Sequence, residues 1–155
     1  MLNIKVVKVK FHSAGERNEL SNFHPCEFVW KDTKFNCSEQ AFQWAKAKTF
    51  NDSEIADKIL AETSPKKMKY LGKKVKNFDD KVWDKYKVAV MKSIVSAKFS
   101  QNKDLTEILL STKDLYLEEY TSDKFWGSGR NGTGKNILGQ ILMQYRNNII
   151  GGLND

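Results

Sequence analysis

Residues 36–50 read NCSEQAFQWAKAKTF, and the fold reading turns on them. Glu39, Gln43 and Lys46 are spaced four and three apart, so on a helix they share one face. Phe42 and Phe50 flank that face, while Ala41, Trp44 and Ala45 make most of the remainder apolar. A helix this apolar around its circumference expects neighbours on several sides. It nevertheless carries a carboxylate and an amine on one stripe.

Working outward, the pattern before this helix is that of strands. Residues 26–36, CEFVWKDTKFN, read as a hairpin turning near Lys31-Asp32-Thr33. Residues 4–11, IKVVKVKF, alternate as a strand does. After residue 36 helices dominate. The first runs over about 38–50, and a second over 52–62 with Asp52 or Ser53 as a natural cap. Ser64-Pro65 opens a short third helix, since proline is tolerated at a first helical position. Residues 79–99 place Trp83, Tyr86, Val90, Ile94 and Ala97 on one apolar face. Residues 102–111 form another short helix, 115–121 a short strand, and a last helix starts near Lys135 with Ile137, Leu138, Ile141, Leu142 and Tyr145 as its buried stripe. No internal repeat, low-complexity tract or linker interrupts the chain. The expected fold is therefore α+β, mainly α: one domain over residues 1–155 with about six helices and a small N-terminal β-sheet.

Composition narrows the class. Hydrophobic residues at 40% and charged residues at 29% describe a soluble globular chain, not a disordered one. No apolar run approaches bilayer length, and the alternating N-terminus is not a signal peptide. With only Cys26 and Cys37, neither a disulfide framework nor a zinc site is indicated, so a reducing, cytoplasmic setting without metal or cofactor is expected. The net charge is +7, and residues 64–78 hold six lysines and no acid. Such a run is either a solvated helix and loop or a surface that tracks phosphates. Its lysines at 66–76 make an anionic partner such as nucleic acid the natural one, and a membrane is not expected.

Three groups of residues could carry chemistry. In the opening helix, Asn36 followed three positions on by Glu39 has the spacing of a capping box, and a helix N-terminus favours a carboxylate. Lys46 could lay its stem along Phe42 and Phe50 with its charge in water. Alternatively both groups face a cleft, where poor solvation lowers the pKa of a lysine. The carboxylate then serves as base or cation stabiliser and the amine as nucleophile. The second group is FWGSGRNGTGKNILGQ, residues 125–140. Gly129 to Lys135 nearly spells a P-loop, but Asn136 stands where magnesium needs a hydroxyl, which excludes a nucleotide triphosphatase. What remains is either a backbone cradle for an anion at a helix N-terminus or an ordinary glycine-rich turn. Asp123 before it is a turn residue or faces a sugar. The third group is aromatic: Trp30, Trp44 and Trp83 read as core, whereas Trp126, in the loop, could stack on a flat base.

These pieces occur in a known order. The segments ELSNFHPCEFVW, CSEQAFQWAKA, MKSIVSAKF and DKFWGSGRNGTGKNILGQILMQYR resemble the NADAR family, the YbiA-like N-glycosidases, over nearly the whole chain from Phe11 to Arg146. The resemblance implies a small, mainly helical domain that hydrolyses N-glycosidic bonds. In the family these lie in early phosphorylated riboflavin-pathway intermediates or between ADP-ribose and guanine in nucleic acid. It implies that Glu39 is catalytic, by one of two routes: Glu39 directs water at the anomeric carbon, or Lys46 acts as a Schiff-base nucleophile; Asp123 is a third catalytic candidate. It places Asn22 and Phe23 of the Leu-Ser-Asn-Phe motif, Gln43, Trp83 and Lys98 around the substrate, with Trp126, Gly127, Gly129, Arg130, Gly134 and Asn136. Gln40 stands where the family usually has His, His12 where Tyr is common, and Ser128 where some members have Asp. The activity expected is removal of ADP-ribose from guanine in DNA or RNA. The alternatives are cleavage of ribosylaminopyrimidine phosphates and a non-catalytic module that binds ADP-ribose or NAD.

Overall fold

The computed structural model describes residues 8–15 and 17–153. Their elements, in chain order, are β1 (Lys8–Phe11), a 3-10 turn (Asn18–Leu20), β2 (Phe28–Trp30), β3 (Thr33–Phe35), α1 (Ser38–Thr49), α2 (Ser53–Ala61), α3 (Pro65–Gly72), α4 (Asp80–Ser100), α5 (Lys103–Ser111), β4 (Tyr116–Glu119) and α6 (Ile137–Leu153). The mainly helical α+β class stands. The strand material comes as two separate two-stranded pieces, β1–β4 and β2–β3. Residues 4–7 of the expected first strand lie outside the described residues.

The chain divides into two units. The unit Asn22–Asn102 is built around α1, which packs on α2, α3 and α4. The preceding hairpin pairs Phe28 with Phe35 and Trp30 with Thr33. Lys31 and Asp32 both take left-handed φ, 52° and 56°, as a two-residue turn matched to strand twist requires. Alternation then buries Phe28, Trp30 and Phe35 and exposes Val29 and Lys34. The hairpin lays these rings on α1, with Phe35 5.3 Å and Trp30 6.2 Å from Trp44. Trp30 Nε1 donates to Ser93 Oγ of α4 at 2.8 Å, so burial leaves its polar edge satisfied.

On another side of α1, Cys37 and Ala47 pack with Ile55, Ala56 and Ile59 of α2, Met68 of α3 and Val75. The caps are those the sequence marks: Asp52 accepts from Ile55 N–H at 3.1 Å and Ser64 from Lys67 N–H at 3.4 Å. The long helix α4 is anchored on α1 by Trp83, whose ring lies 5.3 Å from Phe42. Its buried face runs through Trp83, Met91, Ile94, Val95, Lys98 and Phe99. Tyr86 does not belong to that face: it is 51% exposed, because the first half of α4 is buried only at Trp83.

In the other unit, β1 and β4 pair in parallel, Lys8 with Tyr116 and Phe11 with Glu119, and α6 packs on β4. Phe11, Leu20, Leu105, Leu109, Leu117, Leu138, Ile141 and Leu142 are its buried apolar residues. Arg146 is buried with them, at 2% exposure, and donates from Nη1 to Thr112 Oγ1 at 3.0 Å and to the Leu115 carbonyl at 2.8 Å. A buried guanidinium is tolerated only with such partners. Among the described residues no helix is long and apolar enough to cross a membrane.

The hairpin turn yields a stability prediction. Neither Lys31 nor Asp32 suits left-handed backbone as well as Asn-Gly does. Replacing Lys31-Asp32 by Asn-Gly should stabilise the fold by about 1 kcal/mol. Thermal unfolding followed by circular dichroism should then show Tm raised by roughly 2–4 °C.

Candidate active site

The start of α1 differs from the capping box expected at Asn36 and Glu39. The N-cap is Cys37, with extended backbone (φ −166°, ψ 164°) and no side-chain cap bond. The helix therefore begins one residue later, and the side chain that reaches back is Gln40. Its Oε1 accepts from Asn36 N–H at 2.8 Å, while its Nε2 points to the carbonyls of Ile59, Leu60 and Glu62 at the end of α2, at 3.1, 3.3 and 3.3 Å. Where the family usually has His, this chain thus has an internal bolt between α1 and α2.

With capping assigned elsewhere, the Glu39 carboxylate serves another purpose. Its own N–H donates to the Asn22 carbonyl at 2.9 Å, which brings Asn22 onto the start of α1. Its side chain is buried, and Oε1 accepts from Gln43 Nε2 at 2.9 Å, one helical turn on. A hydrogen bond to a charged group is worth about 1.5–3 kcal/mol, and it also fixes where the carboxylate points. The other end of Gln43 is unsatisfied: Oε1 is buried without a hydrogen-bond partner. Leaving such an oxygen orphaned costs about 1–3 kcal/mol, unless a ligand supplies the donor.

Lys46 lies on the same face, two turns beyond Glu39. It is half-buried, and its Nζ sits 4.5 Å from the centre of the Phe78 ring, which itself packs 5.3 Å from Phe50. The ring under the amine is thus Phe78, supplied from beyond α3, and not the Phe42–Phe50 pair expected from the helical wheel. Burial pushes the Lys46 pKa below its ordinary 10.5, Glu39's charge pulls it back up, and Lys73's charge lowers it further. A neutral amine is the form that attacks carbon. The neighbouring thiol is no competitor, since burial raises Cys37 to about 11.

Among the other expected residues of this unit, Asn22 and Phe23 are half-buried, Trp83 is packed on Phe42, and Lys98 is 1% exposed with Nζ 5.2 Å from the Phe99 ring. Sequence reading missed Phe78, Lys73 and Gly72. An added Cβ at Gly72 would fall against the Gln43 amide. Inside a lysine run, a glycine ending a helix reads as a terminator, and nothing local says what it faces.

The other unit holds the glycine-rich loop and Asp123. Asp123 Oδ1 accepts from the N–H groups of Phe125 and Trp126 at 2.8 and 2.7 Å, so it is the turn residue of this loop. Many of the backbone N–H groups that an anion cradle would use are engaged within the chain. Ser128 N–H donates to Glu119, Gly129 to Asp123, Gly134 to Ser128, Lys135 to Lys124 and Asn136 to Gly127. The first turn of α6 is covered too, Ile137 and Leu138 donating to the carbonyls of Phe125 and Trp126 at 3.0 Å. Gly134 is glycine because a Cβ would meet the Gly127 carbonyl at 2.5 Å. Asn136 faces inward as well: its amide donates to Leu117 and Tyr116 and accepts from Glu119 N–H, stitching the loop to β4. Ser128 Oγ donates to the Glu119 carbonyl at 3.2 Å. Trp126 is half-buried at 4.8 Å from the Phe125 ring, and Arg130, Asn131, Thr133 and Lys135 are exposed.

Comparison with known proteins adds a family. The NADAR domain profile matches residues 10–150. A riboflavin biosynthesis protein of Vibrio vulnificus is 34% identical over 95% of this chain, which spans 40% of that protein. An N-glycosidase of Acanthamoeba polyphaga mimivirus is 37% identical, with 70% of this chain and 71% of that one aligned. The NMR structure of the E. coli protein YbiA superposes with a TM-score of 0.82 at 30% identity, covering 98% of this chain and 90% of that one.

The half-buried amine has a consequence for stability. A lysine whose folded pKa lies below 10.5 holds fewer protons folded than unfolded in the window between the two values. Below that window the folded state carries the full penalty, and the penalty fades as pH rises through it. Lys46→Met keeps the stem and removes the charge. It should be more stable than the parent at pH 7, the gain shrinking as pH climbs through the Lys46 pKa. Urea unfolding at pH 7 and at pH 10 measures both.

Proposed function

This chain belongs to the NADAR family, and from that premise we propose an N-glycoside hydrolase that removes ADP-ribose from guanine in DNA or RNA. The observation that carries the reading is the α1 face, where a buried carboxylate held by Gln43 shares two helical turns with a desolvated amine.

In the proposed cycle the ribosyl ring opens, its C1–O bond breaking onto oxygen, which takes the proton given up by the glycosidic nitrogen, to leave C1 as an imine to the base. Neutral Lys46 Nζ adds to C1. The C1–N bond to the base then breaks, its electron pair going to the base, which takes the proton released from Nζ. Water adds to the resulting Lys46 imine, the C1–Nζ bond breaks, and the sugar leaves as an aldehyde with the amine restored. Glu39 carries protons between these nitrogens and water, and its negative charge stabilises each cationic iminium. Lys46 is suited to this because burial lowers its pKa.

The nucleic-acid substrate is supported by charge. The six lysines between residues 66 and 76 are all exposed, and Lys74 lies 4.6 Å over the ring of Tyr70, itself 57% exposed. Exposed lysines beside an exposed ring suit a polyanion with stacking bases. In the loop of residues 125–136 the proposed ligand contacts are the side chains of Trp126 and Arg130, since the N–H groups of Phe125, Trp126, Ser128, Gly129, Gly134, Lys135 and Asn136 are engaged within the chain. A second reading, cleavage of a ribosylaminopyrimidine phosphate, is favoured by the Vibrio vulnificus relative's name.

Borohydride added during turnover should trap a reduced sugar adduct on Lys46, absent from Lys46→Ala; turnover with no adduct would contradict the imine. Glu39→Gln should lower kcat by roughly 10²-fold or more while binding persists, whereas a pure ADP-ribose-binding module would turn over nothing. On an ADP-ribosylated oligonucleotide, kcat/KM should fall steeply with salt, and less steeply once Lys66, Lys67, Lys69, Lys73 and Lys74 are changed to Gln. Salt-indifferent activity confined to a ribosylaminopyrimidine phosphate would select the second reading.

A further inference from the structure

Gly72 is the last residue of α3 and is buried against α1. Glycine disfavours helix more than any residue except proline, so its presence inside a last turn asks for a cause. Left-handed termination is not the cause: Gly72 is not among the glycines with positive φ, and Lys73 after it is right-handed at φ −73°. Space is the cause. A Cβ on Gly72 would collide with Oε1 of Gln43 and come within 2.5 Å of Cδ and 3.3 Å of Cγ, and these are its three nearest atoms. All belong to one flexible side chain and none to backbone. A methyl group there can therefore be accommodated by moving Gln43, leaving the helices in place.

Moving Gln43 has a consequence elsewhere. Its Nε2 is the donor to Glu39 Oε1 at 2.9 Å, and the residue is 7% exposed. The amide is thus fixed at one end by the carboxylate and at the other by the bare Cα of Gly72. We propose that Gly72 is a positioning residue for Glu39, acting through Gln43: the missing side chain on α3 leaves the room in which Gln43 holds the carboxylate in its working orientation. This rests on the reading of Glu39 as the catalytic carboxylate.

The test is a double-mutant cycle of Gly72→Ala and Gln43→Ala, read by kinetics and by the Gln43 side-chain amide signal in a 1H–15N spectrum. Gly72→Ala should lower kcat roughly tenfold, towards the value of Gln43→Ala. The double variant should be no slower than Gln43→Ala alone, and alanine at 72 should cost no stability once Gln43 is shortened. A merely structural glycine gives a different pattern, in which Tm falls and kcat holds. The amide signal should move on Gly72→Ala and, in the parent, should follow the titration of Glu39. An unchanged kcat in Gly72→Ala, or losses that multiply in the double variant, would overturn the proposal. If the parent protein turns over no N-glycoside, the functional reading has failed instead. The amide signal still decides the positioning role, and a signal unchanged by Gly72→Ala overturns it.

Discussion

The Glu39–Gln43 hydrogen bond is the interaction on which the site depends, because it gives a buried carboxylate a partner and a fixed direction. Helix α1 is covered by α2, α3 and α4, and eight of its residues from Ser38 to Ala47 are buried, three of them Glu39, Gln40 and Gln43. Polar groups in such a place destabilise the fold unless each finds a partner. Gln40 finds its partners in the backbone of α2, and Gln43 finds Glu39. Two side-chain oxygens of α1 are left without a hydrogen-bond partner among the described residues, Ser38 Oγ and Gln43 Oε1, the latter against Gly72.

Lys46 is set up by the same burial with the opposite sign. Burial, and to a lesser degree the charge of Lys73, makes its charged form less favourable, while Glu39 restores part of that loss. The result is an amine whose pKa lies below that of an ordinary lysine and which still feels the charge of Glu39. Stability and chemistry pull apart here: the desolvation that activates the amine is a cost to the fold.

Much of this was legible in the sequence, and the exceptions have physical reasons. Helix starts at Asp52, Ser64 and Asp79, the hairpin at Lys31-Asp32 and the shared face of Glu39, Gln43 and Lys46 rest on local chemistry, and local chemistry is what a sequence states directly. The parallel pairing of β1 with β4 joins distant segments and leaves no local mark. The capping box at Asn36 failed because a single extended residue, Cys37, shifted the helix start. The direction of the glycine-rich loop's N–H groups was not legible, because a loop that faces a phosphate and one that bonds to itself have the same composition; the hydrogen bonds of Gly129, Gly134 and Lys135 show that theirs are spent within the chain. Gly72 and Phe78 were invisible for a similar reason, since their partners lie on another helix.

The central claim is that Lys46 is an activated amine coupled to Glu39, and its titration tests that directly. The 13Cε resonances of the lysines can be followed against pH in the parent and in Glu39→Gln. Lys46 is expected to titrate below the exposed lysines, and lower still in Glu39→Gln, because the carboxylate's charge raises its pKa. A Lys46 that titrates with or above the surface lysines, or whose pKa does not move when Glu39 is neutralised, would contradict it.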